Sequence, residues 1–544
     1  MRKIYLTLAF AALAIGASAQ NLNPQVQVTN VYESQAPDVR KQDIPVSVPD
    51  SVMHFDYVFD YSVFDSPYKG AYEFTPYAVN LVPEKTSYEA RKLYLRAGMG
   101  YNPYPVLKAV WSPETAEGFD MSIRQDLSGY WGNYFLPGVG FGPIDEKYTG
   151  RDLEEKFAVE GRIPSSNRII SFCADYDGIF TSDYLQSTNY HSVGLKAGIK
   201  SNTVHTGSFV YDVNLSARYA AENISHDFSP LKVQEVDIDL SGSLGTMLNT
   251  VDRLLVDYDF RLNRMPGTFD GSAIRNVSLA PHIILKYDRF DLDLGVRMDY
   301  VTKIALHPQA MISFALIKDE LELYAGVKGA ENVLTYSYLK HFDHFFNPSY
   351  TEDFQRSVNE KYNAFLGLKG HHGAHFNYSL EAGRAKYAGA PFETVACDRS
   401  GTLRPGIDYF DYGVWFADLK AAWKSPRFEA DAVLGVRKTS LDASSHAVDL
   451  PLLSADLRAV YNWRERTFLG VSCEMLTARQ FTMIGGPQAE LPFTANLAAF
   501  AQYKFNSKWG VWIKGGNLLN QFIRRTPLHI EEGINFTAGI CLSL

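Results

Sequence analysis

From Phe290 to Tyr300 every second residue is apolar, with Phe290, Leu292, Leu294, Val296, Met298 and Tyr300 set between Asp291, Asp293, Gly295, Arg297 and Asp299. A period of two places the first set on one face of an extended strand and the second set on the other. The same parity returns in Leu254, Val256, Tyr258, Phe260 and Leu262 against Asp257, Asp259 and Arg261. It returns again in Leu453, Ala455, Leu457, Ala459, Tyr461 and Trp463 against Asp456 and Arg458, and in Val236, Ile238 and Leu240 against Asp237 and Asp239. Each strand therefore carries one oily and one charged face. A soluble antiparallel sandwich alternates in the same way, so the spacing of the strands has to discriminate.

From Leu93 onward the pattern divides into strands of about nine to thirteen residues, close to the length that crosses a bilayer when tilted. Their connections alternate in length. Short turns fall at Asp288-Arg289, Lys318-Asp319, His372-Gly373, Ser425-Pro426, Arg464-Glu465 and Asn506-Ser507. Longer connections rich in Gly, Pro and Asn fall around 132–153, 263–275, 331–360, 387–412, 438–452, 478–494 and 518–533. The pattern predicts an all-β fold: a transmembrane antiparallel β-barrel of about 22 strands, give or take two pairs, with short periplasmic turns and long extracellular loops. An even count leaves both ends of the barrel on the short-turn side, with Ile534 to Leu544 as the last strand. The chain holds 34 Phe, 33 Tyr and 7 Trp, and the outward parity collects Tyr287, Phe290, Trp423, Phe428, Trp463, Phe505 and Trp509 beside short turns. That is where an interfacial girdle belongs.

The N-terminus has the form of an export signal over residues 1–19. Arg2 and Lys3 precede the apolar run Ile4 to Ile15, and Ala17-Ser18-Ala19 supplies a small-residue cleavage site. Past it no run approaches the roughly 18 consecutive apolar residues of a spanning helix, which excludes a helical membrane protein. Loss of Arg2 and Lys3 leaves 50 basic and 61 acidic residues, a formal charge of −11 on the 544-residue chain's mature form. That disfavours a nucleic-acid partner. Export and a lipid-facing barrel together predict the outer membrane, with its lipids as the first partner. The expected organisation is residues 1–19 as signal peptide, 20–91 as an extended segment rich in Pro and Tyr, and 92–544 as barrel.

The C-terminal end carries a family resemblance. Gly515-Gly516-Asn517-Leu518-Leu519-Asn520-Gln521, then Pro527, then Gly533-Ile534-Asn535-Phe536-Thr537-Ala538-Gly539-Ile540 resembles the last two strands of TonB-dependent receptors, which are joined by an Asn-Leu-X-Asn element. Phe536, Ala538, Ile540, Leu542 and Leu544 alternate to the chain end, as the last strand of outer-membrane barrels does, although Leu544 stands where an aromatic residue is more usual. The resemblance implies a 22-strand barrel with a filled lumen, uptake of a solute and TonB as energising partner. The chain departs from it before the first strand. Gln20 to Arg91 is only 72 residues, short for a folded plug, and its prolines and its Tyr57, Phe59, Tyr61, Phe64 and Tyr68 show no helical period. It is expected to thread the lumen or to act as a periplasmic linker. The candidate TonB-contacting stretch is Gln25 to Thr29, with Val26 and Val28.

Inward parity places Asp257, Asp259, Arg261, Asp291, Asp293, Arg297 and Asp299 on the lumen wall. Such a wall is either a hydrated path for polar or cationic solutes or a surface whose mixed charges satisfy one another. The long connection 331–360 concentrates Tyr336, Tyr338, His341, His344, Phe345 and Phe346, and exposed rings of this kind suit a ligand-facing or partner-facing surface. His341 and His344, like His371, His372 and His375 at a short turn, could ligate metal or haem, but histidines in turns and loops are usually solvated, and no cofactor or metal is assigned. Ser278 and His282 share one face, yet four residues separate them by roughly 13 Å, so they form no catalytic pair, and no enzymatic motif appears. The expected function is solute uptake or passage across the outer membrane. The rival is a non-transporting barrel that serves as scaffold or subunit of an assembly complex, with a periplasmic or surface lipoprotein as partner.

Overall fold

The first strand, Leu93–Tyr101, pairs on one side with Val106–Trp111 and on the other with the last strand, Asn535–Ser543, so the sheet closes on itself. This computed structural model describes residues 92–544 apart from 116–117, 139–142, 203–204, 227–230, 267–272, 351–354, 398–402, 442–449, 485–488 and 525. The expected signal peptide, the segment 20–91 and the stretch with Val26 and Val28 lie outside the described residues. The ring is a closed antiparallel barrel of 22 strands. Four further short strands, Arg479–Ile484, Ala489–Leu491, Ile523–Arg524 and Ile530–Glu531, sit on the loops.

The alternation is realised face by face. Leu294 and Val296 are 44% and 51% exposed, whereas Asp299, of opposite parity on the same strand, is fully buried. Short turns occupy one end of the barrel. At Arg464-Glu465 both residues adopt positive φ, 56° and 60°, and Arg466 N donates to Trp463 O at 3.3 Å. This is the mirror-image turn whose twist matches the flanking strands, built here without the usual glycine.

Two of the expected loops are not loops. Residues 132–153 and 387–412 belong largely to the strands Asp120–Pro137, Pro143–Pro164, Phe376–Cys397 and Leu403–Lys424, three of which run for 22 residues. These pairs continue well past the length a membrane needs. Their rings hold them together: Tyr134 lies opposite Tyr148 and stacks on it at 5.4 Å, and Tyr387 lies opposite Tyr412 and stacks at 5.2 Å. Cross-strand aromatic pairs stabilise a ladder that its Gly and Pro content would otherwise weaken.

The Asn-Leu-X-Asn element has a physical basis. Asn517 and Asn520 both take positive φ, 47° and 52°, which Asn tolerates better than most residues. The Asn517 amide then donates to Gln521 O and Gly533 O at 2.6 and 3.1 Å and accepts from Gln521 N at 2.9 Å. It thereby ties the start of the last loop to its end.

An arginine in place of Leu294, outward and midway along its strand, is expected to destabilise the barrel by roughly 2–4 kcal/mol. Refolding equilibria in lipid vesicles measure this, and the inward change Asp291→Asn provides the low-cost comparison.

Candidate functional site

The thirteenth strand, Leu321–Val333, does not hand over to an outward loop. Thr335 caps a helix, Tyr336–Phe342, by accepting from Tyr338 N at 3.0 Å. The helix points into the barrel. Most of its partners lie on the fourth to eighth strands, Pro143–Pro164, Arg168–Ser182, Gln186–Ser201, Phe209–His226 and Leu231–Met247, across the ring from the strand that leads into it. Tyr336, Leu339 and Phe346 pack with Ile179, Tyr190, Ala220, Ile224, Val233 and Ile407 in one buried cluster. The aromatic residues expected to be exposed are therefore the apolar core of a loop folded across the lumen: Tyr336, Phe345 and Phe346 are each at most 2% exposed, and Tyr338 packs against the same cluster.

Charge fixes the helix in place. Lys340 and Glu222, both without any exposed side-chain surface, form an ion pair at 2.7 Å, and Lys340 Nζ also donates to Thr188 Oγ1 at 3.1 Å. The Tyr336 hydroxyl donates to Glu222, and burial, followed by that carboxylate, pushes this hydroxyl well above the usual tyrosine range. Glu235 receives Tyr336 N at 2.6 Å, Ser337 N at 3.0 Å and Ser337 Oγ at 2.7 Å. The first amides of a helix have no partner within it, and a carboxylate at that end meets them favourably.

The two histidines of the loop also find wall carboxylates. His341 Nε2 lies 2.5 Å from Asp177 Oδ2, and His344 Nδ1 lies 2.6 Å from Asp152 Oδ1. Burial tends to lower the His341 imidazole, but the Asp177 carboxylate more than reverses this, so it titrates above the ordinary histidine range. Burial likewise raises the Asp343 carboxyl at the end of the helix. Beyond it the Phe345 ring stacks on His529 of the last loop at 3.4 Å, and His529 Nε2 meets Asp183 at 3.0 Å.

The lumen-wall residues are engaged chiefly with one another. Asp257 and Asp293 flank His282 at 3.4 and 2.7 Å, Asp291 faces Lys286 at 3.5 Å, Arg297 Nε binds Asp299 at 2.9 Å, and Arg261 holds Asp237 with two nitrogens. Asp259 lies opposite Ser241. Ser278 donates to Asp299 rather than to His282. Toward the short-turn end the lumen is open, with a cavity of about 1500 Å³ lined by Lys92, Glu114, Asp120, Glu160, Lys196 and Lys508, among others.

Glu222, Glu235, Asp177 and Lys340 were not among the expected site residues. Parity does place Glu222 with Arg218 and Glu235 with Asp237 on the inner face. What parity cannot supply is the partner each of them meets across the lumen.

The fold is that of TonB-dependent receptor barrels, although among the described residues there is no plug domain. No protein-family model and no curated protein matches the sequence. Among solved structures, the FrpB iron transporter from Neisseria meningitidis is similar at TM-score 0.62 and 11% identity, covering 83% of this chain and 82% of that one. The copper transporter OprC follows at TM-score 0.59 and 12% identity, with 83% and 82% covered. A ferric enterobactin receptor from Pseudomonas aeruginosa gives 0.59 and 10%, with 83% and 80% covered. At these identities the likeness is one of fold.

Removing Lys340 leaves Glu222 buried and unpaired, so Lys340→Met is expected to weaken docking of the loop by about 3–5 kcal/mol. Amide exchange of residues 336–346 reports the loss. Adding Glu222→Gln to Lys340→Met is expected to restore part of the protection, since the orphaned charge is then gone.

Proposed function

We propose that the protein is an outer-membrane uptake barrel whose lumen is closed at the loop end by its own segment 334–347, and that passage of a solute requires this segment to withdraw. The observation that carries the reading is the buried Lys340–Glu222 pair together with the apolar cluster around Tyr336 and Phe346, which holds a surface connection across the bore. A bore of this strand number needs filling to be selective. Export through the cleavable signal of residues 1–19 delivers the chain to that membrane.

Uptake is supported by the neighbours in fold, which are transporters of iron and copper and a ferric enterobactin receptor. The acid-rich wall suits a small polar or cationic solute. Energised withdrawal by TonB, engaged through the stretch with Val26 and Val28, is the form this mechanism takes if the family's energetics hold for this chain. Deletion of residues 20–30 should then abolish accumulation in cells while leaving conductance in bilayers unchanged.

Single-channel conductance in planar bilayers tests the closure. The protein is compared with a form in which 336–347 is replaced by a short Gly/Ser link, each with and without residues 20–91. Loop replacement is expected to raise conductance at least severalfold in one background or both. Unchanged conductance in both backgrounds removes the loop as the closure and moves the barrel toward a scaffolding role.

A further inference from the structure

His341, on the docked helix, faces two wall carboxylates at once. Its Nε2 is 2.5 Å from Asp177 Oδ2 on the strand Arg168–Ser182 and 3.8 Å from Glu154 Oε1 on the neighbouring strand Pro143–Pro164. One ligand atom from each of the three residues lies within 4.8 Å of the others. The other ring nitrogen, Nδ1, is 2.6 Å from the Ser337 carbonyl oxygen. A carbonyl only accepts, so Nδ1 carries a proton, and Nε2 is the ring atom that meets the carboxylates, either donating to Asp177 or, once its own proton is displaced, offering a lone pair. A cation that takes the place of the Nε2 proton meets a donor atom on each of the three residues, so the same contacts that hold the proton can hold the ion.

A second observation points the same way. The Asp177 side chain is only 9% exposed, and its Oδ1 has no hydrogen-bond partner. Buried carboxylate oxygens are ordinarily satisfied, because leaving one bare costs free energy. That oxygen belongs to the carboxylate that already faces His341.

We propose that Glu154, Asp177 and His341 form a site for one first-row divalent cation, and that the ion latches the segment 334–347 to the barrel wall. One imidazole and two carboxylates suit zinc, or manganese or iron in the divalent state, better than calcium or magnesium, which prefer oxygen alone. With metal–ligand bonds of about 2.1 Å, tetrahedral ligands stand roughly 3.4 Å apart. The distances of 2.5 and 3.8 Å bracket that value, so small side-chain shifts admit the ion, and a water completes the shell. Lys156 Nζ, 2.5 Å from Glu154 Oε1, competes for the same oxygen. Its side chain is 53% exposed and can turn to solvent when the ion binds.

The latch rests on where the loop docks and is independent of which solute the barrel carries, so its failure leaves the uptake reading standing. The test is titration of the full-length protein, stripped by chelator and held in detergent, with zinc ion alone, followed by calorimetry, elemental analysis and amide exchange of residues 336–346. We expect one zinc per chain and slower exchange of the segment on binding. Affinity should fall by roughly 10–100-fold or more in both Glu154→Gln and His341→Ala, since even residues that only orient ligands cost that much. Glu154→Gln conserves size at a partly exposed position, so its fold is retained and its result is informative on its own. Absence of stoichiometric zinc overturns the proposal in favour of a His341 imidazolium clamped by the two carboxylates. Binding of equal affinity in Glu154→Gln and His341→Ala overturns it as well, because the ion is then held elsewhere.

Discussion

Everything in this molecule follows from the requirement that no backbone amide or carbonyl face lipid unpaired. Each such group costs several kcal/mol in hydrocarbon, which only a helix or a closed sheet avoids. The chain meets the requirement by joining Leu93–Tyr101 to Asn535–Ser543, strands at opposite ends of the barrel sequence. Closure fixes which face is lipid and which is lumen along every strand, and hence why Leu294 can be apolar where Asp293 must be polar. It also sets a problem, because a ring of 22 strands encloses far more space than its own side chains fill.

The described residues answer that problem from the loop end. A connection that could have extended into water turns inward after Val333 and brings its own apolar core, with Tyr336, Leu339 and Phe346 packed beneath the opposite wall. Its attachments are of two kinds. The rings and aliphatic chains supply non-directional burial, and the pairs Lys340–Glu222, His344–Asp152 and Ser337–Glu235 set orientation. The short-turn end contributes no comparable filling among the described residues, and the cavity there is correspondingly large.

Much of this architecture was legible in the sequence because its periodicity is local. The parity of Phe290–Tyr300, the turn at Arg464-Glu465 and the side-chain bonds of Asn517 each depend on residues within a few positions of one another. Two errors came from treating composition as local too. The glycines and prolines of 132–153 and 387–412 suggested loops, but Tyr134 meeting Tyr148 and Tyr387 meeting Tyr412 carry the ladder through them. The rings of 336–346 suggested an exposed surface, but the direction of the loop is decided by Glu222 and Glu235, more than a hundred residues earlier in the chain. Parity turns those two carboxylates inward and is silent about what lies opposite. His341 shows the same limit: its loop position suggested a solvated side chain, and only the folded chain sets it against Asp177 and Glu154.

The chemistry of the loop's attachments determines how it can move. The buried Glu222 carboxylate is met by Lys340 and Tyr336 of the loop, and the amides of Tyr336 and Ser337 at the start of the helix are met by Glu235. A loop lifted partway would strand a charge in a site that water has not yet entered, the most costly arrangement open to an ion pair. Full withdrawal returns both partners to water and avoids that cost. Intermediate positions on the proposed withdrawal would therefore lie above both end states, as for a two-state element rather than a gradually yielding one. A wall that is acidic beneath the loop reinforces this, since its carboxylates gain hydration when the loop leaves and gain Lys340, His341 and His344 when it docks.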